Sequence, residues 1–346
     1  MISKFKLLLI LFMSLCIVIS IKSCSSQEIN KLKIVVIPKG EQTIFWEAIK
    51  KGTEEFAEEF NQSDRNGKTI EILWESPPID DNKNAQISKL EKFLNSSNEL
   101  PISGIVIAPL DDTALLRPII KAKNKKIPVV IMDSGLSGRI GEDYKAFIAT
   151  DNYQAGVEAG KKFLDAVATK NQQRKGNVWI LGFREGSAST TRRERGFLKV
   201  ITNEFPDPVY DIDDEGRSND REAYDASIKL IESRKGEIPI GIFCANESTT
   251  VGMLKALQEK DMAGKIVFVG FDITQELYNA VKRGQIAALM VQDAKKIGQE
   301  SVSTLVKILQ RDSIQNEIKI PIQPINQSNI DTENVRTLVE SYGISP

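Results

Sequence analysis

The sequence predicts an α/β chain of two similar lobes, each a doubly wound parallel sheet, joined by a hinge that the chain crosses more than once. Three observations carry this. Short β-branched runs alternate with longer stretches of helical period from Lys33 onward, the pattern of a parallel sheet covered on both faces. The 346 residues, 41% hydrophobic and 27% charged, are more than one core usually organises and suit two. The alternation also runs through one series and starts again near residue 147, as though a unit were repeated.

In chain order, the first series has strand-like runs at 33–37, 69–74, 104–108 and 129–133. After the first run, Phe45, Ile49, Phe56 and Phe60 fall on one helical stripe; before the fourth, Leu115, Ile119 and Ala122 do the same and Pro128 closes the loop. Residues 134–145 carry Gly135, Gly138 and Gly141 and read as a flexible loop beside a domain crossing. The second series has runs at 147–150, 178–183, 208–212, 241–245 and 266–272. A short run at 287–292, a helical stretch to about Leu309 and one extended segment at 318–325 complete it. These late elements are expected to return to the first lobe and then to the second. The expected division is a leader at 1–23, a first lobe of 31–150 with 293–320, and a second lobe of 151–292 with 321–346.

Lys4 and Lys6 precede an apolar stretch at 7–21, whose 15 residues fall short of the roughly 20 a helix needs to cross a bilayer. This reads as the core of a signal peptide. Behind it, Ile21-Lys22-Ser23-Cys24 resembles the bacterial lipobox, which implies cleavage before Cys24 and acylation of its sulfur. Lys22 departs from the small or apolar residue usual there, so ordinary cleavage nearby and an uncleaved anchor stay open. Cys16 lies within the leader, and Cys244, in Ile242-Phe243-Cys244, reads as a small buried hydrophobe. No intramolecular disulfide is expected.

The 46 Lys and Arg against 47 Asp and Glu give a net charge of −1, moving to −4 without the leader and its three lysines. No run of one sign suits a polyanion, so nucleic acid is not an expected partner. Histidine is absent, which removes Ser-His-Asp and Cys-His catalysis and every His-ligated metal site. The first strand is followed by Pro38-Lys39-Gly40-Glu41-Gln42 rather than G-x-G-x-x-G, and there is no P-loop. No cofactor and no metal are expected. Acidic pairs such as a glycosidase uses are assembled only in space, so a carbohydrate-acting enzyme stays open as an alternative.

Ligands of open α/β sheets bind outside the carboxyl ends of the strands, and here those ends are polar. They carry Pro38 to Thr43, Asp133-Ser134, the segment 185–193, Asn246, Asp272 and Gln292. Each has a plain structural reading: Asn246 and Asp272 as helix caps, Asp133 as a loop pin, Arg193 as a solvated helix charge. Their gathering at strand ends of both series points instead to a cleft.

Phe147-Ile-Ala-Thr-Asp-Asn-Tyr-Gln-Ala-Gly156, Gly186-Ser-Ala-Ser-Thr-Thr-Arg-Arg-Glu-Arg-Gly-Phe197, Ala245-Asn-Glu-Ser-Thr-Thr-Val-Gly252 and Val269-Gly-Phe-Asp-Ile-Thr274 together resemble the sugar-binding branch of type I periplasmic substrate-binding proteins, the ribose-binding-protein-like receptors of ABC importers. The likeness covers 33 to about 325. It implies a receptor, not an enzyme, whose lobes close on one small polar ligand, a monosaccharide, and present it to permease subunits. It implies a monomer exported to the periplasm or the outer membrane face, held by a lipid on Cys24. A sensor feeding a membrane receptor shares the fold and stays open. Lactose-type repressors share it too, but carry a helix-turn-helix where this chain has its leader.

The resemblance also assigns positions. Phe45 and Trp46 match the aromatic pair that packs on sugar faces, with Phe45 the better candidate if one of them belongs to the core. Asp133, Asn246, Asp272 and Gln292 match groups that bond hydroxyls. Arg193 matches an arginine donating to ring and hydroxyl oxygens, with Thr191 and Arg192 as neighbouring candidates. Thr43 falls in the first binding loop. Two departures stand out: Ser134 where ribose binders have arginine, and Lys39 where they have a small polar residue. With Glu41, Lys39 suits a different sugar, a cyclitol or a ligand bearing charge.

Overall fold

The computed structural model describes residues 31–346 except 41–42, 64–66, 78–81, 97–100, 171–176, 185, 206–208 and 212–218. The expected leader with Cys16 and Cys24, and Glu41 of the first loop, lie outside the described residues.

The apolar runs become strands of two six-stranded sheets. In the first are β1 (Lys31–Ile37), β2 (Thr69–Trp74), β3 (Gly104–Ile107), β4 (Val129–Met132), β5 (Ala146–Thr150) and β11 (Glu317–Ile320). Their order is β11-β5-β4-β3-β1-β2, parallel throughout. In the second are β6 (Val178–Leu181), β7 (Val209–Asp211), β8 (Gly241–Cys244), β9 (Val267–Phe271), β10 (Ala288–Val291) and β12 (Gln323–Ile325). Their order is β12-β10-β9-β8-β6-β7, parallel except for antiparallel β12 on β10. Strands β3, β4, β6, β8, β9 and β10 are buried along their whole length, which is why they read as continuous apolar runs rather than alternating ones.

Helices α1 (Ile44–Gln62), α2 (Lys83–Asn95) and α3 (Leu116–Asn124) follow strands of the first sheet. The next helix, α4 (Asn152–Thr169), leaves β5 but packs on the second lobe, against β9, β10 and α5 (Ala188–Ile201). In the second lobe lie α6 (Asp220–Ser233), α7 (Glu247–Glu259) and α8 (Gln275–Lys282). The mirror exchange is made by α9 (Ala294–Gln310), which leaves β10 and packs on α1, β3, β4 and β5. Finally, α10 (Glu333–Ser341) buries Val335 and Val339. At both exchanges the backbones touch. A Cβ at Gly156 of α4 would lie 1.9 Å from the Arg193 carbonyl oxygen, and one at Gly298 of α9 2.2 Å from that of Ile49, so only glycine fits.

Three sequence expectations change. The run at 147–150 does not open the second series: β5 is the fifth strand of the first sheet, between β4 and β11. The loop at 134–145 joins two strands of that same sheet, so it is no crossing, and it is pinned. Tyr144 is buried, and Asp143 accepts from the Arg139 N–H at 3.0 Å. The segment 318–325 is two strands, because Pro321 has no N–H to continue a ladder. The chain therefore changes sheets there, as it does after β5 and after β10.

The second core leads to the site. Phe197 and Phe243 stack at 4.1 Å, and Phe243 meets Phe271 edge-on at 6.0 Å. Cys244 is fully buried in β8.

Candidate ligand-binding site

Residues at the carboxyl ends of strands from both sheets line one cavity of ≈ 90 Å³. That is room for several ordered waters, or one small polyol.

The first lobe supplies a carboxylate, an ammonium and two rings. Asp133 follows β4 with φ 59°, in the left-handed region, and its N–H donates to the Ile148 carbonyl of β5 at 2.9 Å. Backbone in that region is uncommon for a non-glycine residue and concentrates at functional sites. The Lys39 ammonium, just past β1, lies 2.9 Å from the Asp133 carboxylate and donates to the Ser189 hydroxyl of the other lobe at 3.1 Å. Thr43 begins α1, yet its side chain makes no capping bond. Phe45 and Trp46 meet edge-to-face at 5.0 Å; both are nearly buried, both belong to the core and both line the cavity. Core and site are thus not divided between these two rings.

The second lobe repeats the device and elaborates it. Asp272 follows β9 with φ 63°, and its N–H donates to the Met290 carbonyl of β10 at 2.9 Å. The Gln292 amide donates to its carboxylate at 2.8 Å, and the Tyr342 hydroxyl fixes Gln292 by donating to its carbonyl at 2.9 Å. Arg193 is 2% exposed, so it is no solvated helix charge. Its Nε donates to Asn152 at 2.7 Å and its Nη1 to the Ala245 carbonyl at 2.9 Å, while Nη1 stands 3.8 Å from Asp272 and the guanidinium lies 4.3 Å from the centre of the Phe271 ring. The fork has five donors, so some remain for a ligand. Asp272 does not cap α8, where Thr274 accepts from Leu277; its carboxylate instead accepts from the backbone N–H of Glu247, the first residue of α7. Asn246 heads α7 but makes no side-chain cap; its amide donates to Ser248 at 3.0 Å and accepts from Thr249 at 2.5 Å.

Burial raises the Asp272 carboxyl above the usual range, and neither Arg193 nor the Gln292 hydrogen bond offsets it. Glu247, the first residue of α7, is pushed well up by burial and then by the charge of Asp272. Among the described residues no cluster of histidine, cysteine or acid side chains could hold a metal. The array suits a hydroxylated solute. Carboxylates accept, cations donate, amides do both, and the rings pack on C–H faces.

Of the residues the sequence singled out, Ser134 and Thr191 do not line the cavity. Ser134 stands one step behind it, its hydroxyl accepting from the Ser189 N–H at 3.3 Å. Thr191 and Arg192 line a separate open groove with Asp112, Gly135 and Arg195. Helix phase explains this: at 3.6 residues per turn, Thr190 and Arg193 share a stripe with buried Phe197, and Thr191 is turned away from it. That stripe was readable. Also lining the cavity are Leu110, Phe183 and Glu247, none of which was singled out, and Ser187, Ser189 and Thr190, which the sequence offered only as part of the segment 185–193. Glu247 was masked by the ordinary reading of an acid in a helix's first turn.

The lobes meet across the cleft through Lys39 and Ser189, through Ser134 and Ser189, and through the Asp112 N–H, which donates to the Gly186 carbonyl at 3.2 Å. Two lobes of one pattern, shut on a polar cavity built from both, define a solute-binding protein of the two-lobed type. The chain belongs to the periplasmic binding protein domain family, which it matches over residues 34–313. It is 25% identical over 267 residues to the D-allose-binding periplasmic protein of Escherichia coli, covering 76% of this chain and 79% of that one. It is 29% identical over 244 residues to the ribose import binding protein of Haemophilus influenzae, covering 68% and 77%. Among solved structures, an ABC transporter solute-binding protein from Agrobacterium vitis with bound D-fucose superposes with a TM-score of 0.78 at 28% identity, over 88% of this chain and 98% of that one.

Proposed function

We propose that this chain is the extracytoplasmic substrate-binding component of an ABC importer and binds one small polyol, a monosaccharide, in the cleft. The observation that carries it is the cavity's donor set: Lys39, Asp133 and the aromatic pair from one lobe against Arg193, Asn246, Asp272 and Gln292 from the other. A solute touching both sets binds the closed state better and shifts its population, so capture and closure are one event. The relatives are named for D-allose and ribose and the structural neighbour holds D-fucose, which supports a sugar here. The moving units are 31–150 with 293–320 and 151–292 with 321–346; β11 ending at Ile320 and β12 beginning at Gln323 support that division.

The protein retains its ligand unchanged and is no enzyme. It works as a monomer outside the cytoplasm, tethered through Cys24, and hands its ligand to permease subunits. Calorimetry with D-allose, D-ribose, D-fucose and xylitol tests the reading: one-to-one binding of at least one intact polyol is expected, and turnover or no binding overturns it. For the tether, wild-type protein is expected in the membrane fraction and Cys24→Ser in the soluble or unprocessed one. Equal partitioning of the two sinks it, because stable anchoring needs more than a marginal single chain.

A further inference from the structure

Glu247 has no assigned role, and its surroundings give it one. It is buried, lines the cavity, and holds its Oε2 buried with no hydrogen-bond partner among the described residues. Two other cavity-lining side chains have such an atom, Ser187 Oγ and Gln292 Oε1. Glu247 starts α7 in the second lobe, but the backbone N–H groups of Ile44 and Phe45 that hydrogen-bond to it belong to the first turn of α1, in the first lobe. The first N–H groups of a helix need an outside partner, and Thr43, the capping residue of α1, supplies none from its side chain. The head of α1 therefore takes its acceptor from the opposite lobe. That contact exists only while the cleft is shut.

We propose that Glu247 is a specificity-determining residue that joins ligand to closure: its carboxyl caps α1 across the cleft and turns its second oxygen to the ligand, donating a hydrogen bond and selecting an uncharged polyol. The proposal rests on the transport reading above. Charge on the cavity wall supports it. Lys39 and Arg193 balance Asp133 and Asp272, so a fifth charge on Glu247 would stand uncompensated in a desolvated space, whereas a proton there leaves the wall neutral and adds a donor to it. The groups facing it are Asp272, Asp220 of α6 and Tyr342 in its own lobe, with the N–H groups of α1 across the cleft. Burial and then the Asp272 charge push its carboxyl well above the usual value, against the pull of those N–H groups. In the open form it is hydrated and ionises in the ordinary carboxylate range. A group raised on closing stabilises the closed form fully below its open-state value. That stabilisation is lost as pH rises through the closed-state value, so closure takes up a proton and binding weakens toward alkaline pH.

The test titrates D-allose, D-ribose, D-fucose and xylitol into wild type, Glu247→Gln and Glu247→Ala at pH 7, in two buffers of different ionisation enthalpy. Wild type is expected to take up protons on binding and to reject D-glucuronate. Glu247→Gln, which keeps a donor and the shape, is expected to bind within about threefold with the proton uptake gone. Glu247→Ala is expected to lose tenfold or more. Unchanged proton uptake in Glu247→Gln, or wild-type affinity in Glu247→Ala, overturns the role. If no polyol binds wild type, the transport reading falls, and X-ray scattering of the sugar-free protein still decides the latch. A smaller radius at pH 5 than at pH 8 in wild type but not in Glu247→Gln supports it, and equal radii overturn it.

Discussion

The two lobes present the same backbone device and hold it in opposite ways. Asp133 and Asp272 each follow a strand in left-handed conformation and are each fixed by an N–H bond to the next strand. Around Asp272 everything needed is already in the second lobe or in α4, which packs on it. Gln292 donates to it, Tyr342 holds Gln292, and Arg193 is set by Asn152, the Ala245 carbonyl and the Phe271 ring. Around Asp133 the set is finished by the other lobe: its partner Lys39 reaches Ser189, and so does the neighbouring Ser134. The difference teaches an order of events. On the function proposed above, the second lobe is preorganised to receive the ligand, which would lower the ordering cost of binding, and the first lobe would complete its contacts on closing.

The largest effect expected from this comparison is that of Arg193→Ala. Removing one partner of a buried pair leaves Asp272 uncompensated, which costs about 3 to 5 kcal/mol, and binding should be lost with it. Urea unfolding of the ligand-free protein reads the stability. A variant as stable as wild type would mean that Arg193 is not the organiser of the second lobe.

Trp46→Ala is expected to cost a comparable ~3 to 5 kcal/mol, the usual figure for a large aromatic leaving a packed core. The ring is 7% exposed and sits in the core as well as on the cavity. Stability and binding should therefore fall together, where a ring at an open mouth would have affected binding alone. Trp46→Phe should remove the ligand-induced fluorescence change, with Trp179, fully buried in β6, as the silent reference. A signal that survives Trp46→Phe but not replacement of Trp179 would place the reporting ring in the second core.

The paired aspartates sharpen the contrast. Asn tolerates the left-handed backbone, so Asp272→Asn and Asp133→Asn remove charge without strain. Each should weaken binding by about 1.5 to 3 kcal/mol, or about 10- to 150-fold. They should part in the ligand-free protein: Asp272→Asn strands a buried Arg193 and lowers the urea midpoint, whereas in Asp133→Asn the Lys39 ammonium is rehydrated when the cleft opens. Equal midpoints would break the preorganised-against-completed distinction.

These contrasts also show what a linear sequence can carry. The strand ends were legible, because full burial makes β4 and β9 continuous apolar runs whose first polar residue is Asp133 or Asp272. Arg193 was legible as a region, and the Thr190–Arg193–Phe197 stripe would have fixed it against Thr191. For β5 two sequence cues disagreed, the strand series putting 147–150 at its second start and the expected division ending the first lobe at 150, because the period of a strand does not say which sheet it joins. Lobe exchange by α4 was legible as the expected boundary between 150 and 151, and that by α9 as an expectation of late crossings; the touching backbones at Gly156 and Gly298 look like any helical glycine. Glu247 was beyond reach, and Ser189 was legible only within the segment 185–193, for a further reason: each acts on the opposite lobe, and that proximity is created by closure, not by local pattern.

Ser134→Ala carries the smallest expected effect and isolates the completing lobe. The Ser134 hydroxyl does not line the ligand cavity and, among the described residues, accepts from the Ser189 N–H across the cleft, so its loss removes one neutral hydrogen bond between the lobes. Such a bond is worth about 0.5 to 1.5 kcal/mol, a weakening of about 2- to 12-fold. It should appear in ligand dissociation rather than association, because capture by the second lobe precedes the contact, and the ligand-free unfolding midpoint should not move. Stopped-flow tryptophan fluorescence separates the two rates. If association slowed and dissociation did not, the first lobe would be taking part in capture, and the order of events read from the two aspartates would have to be reversed.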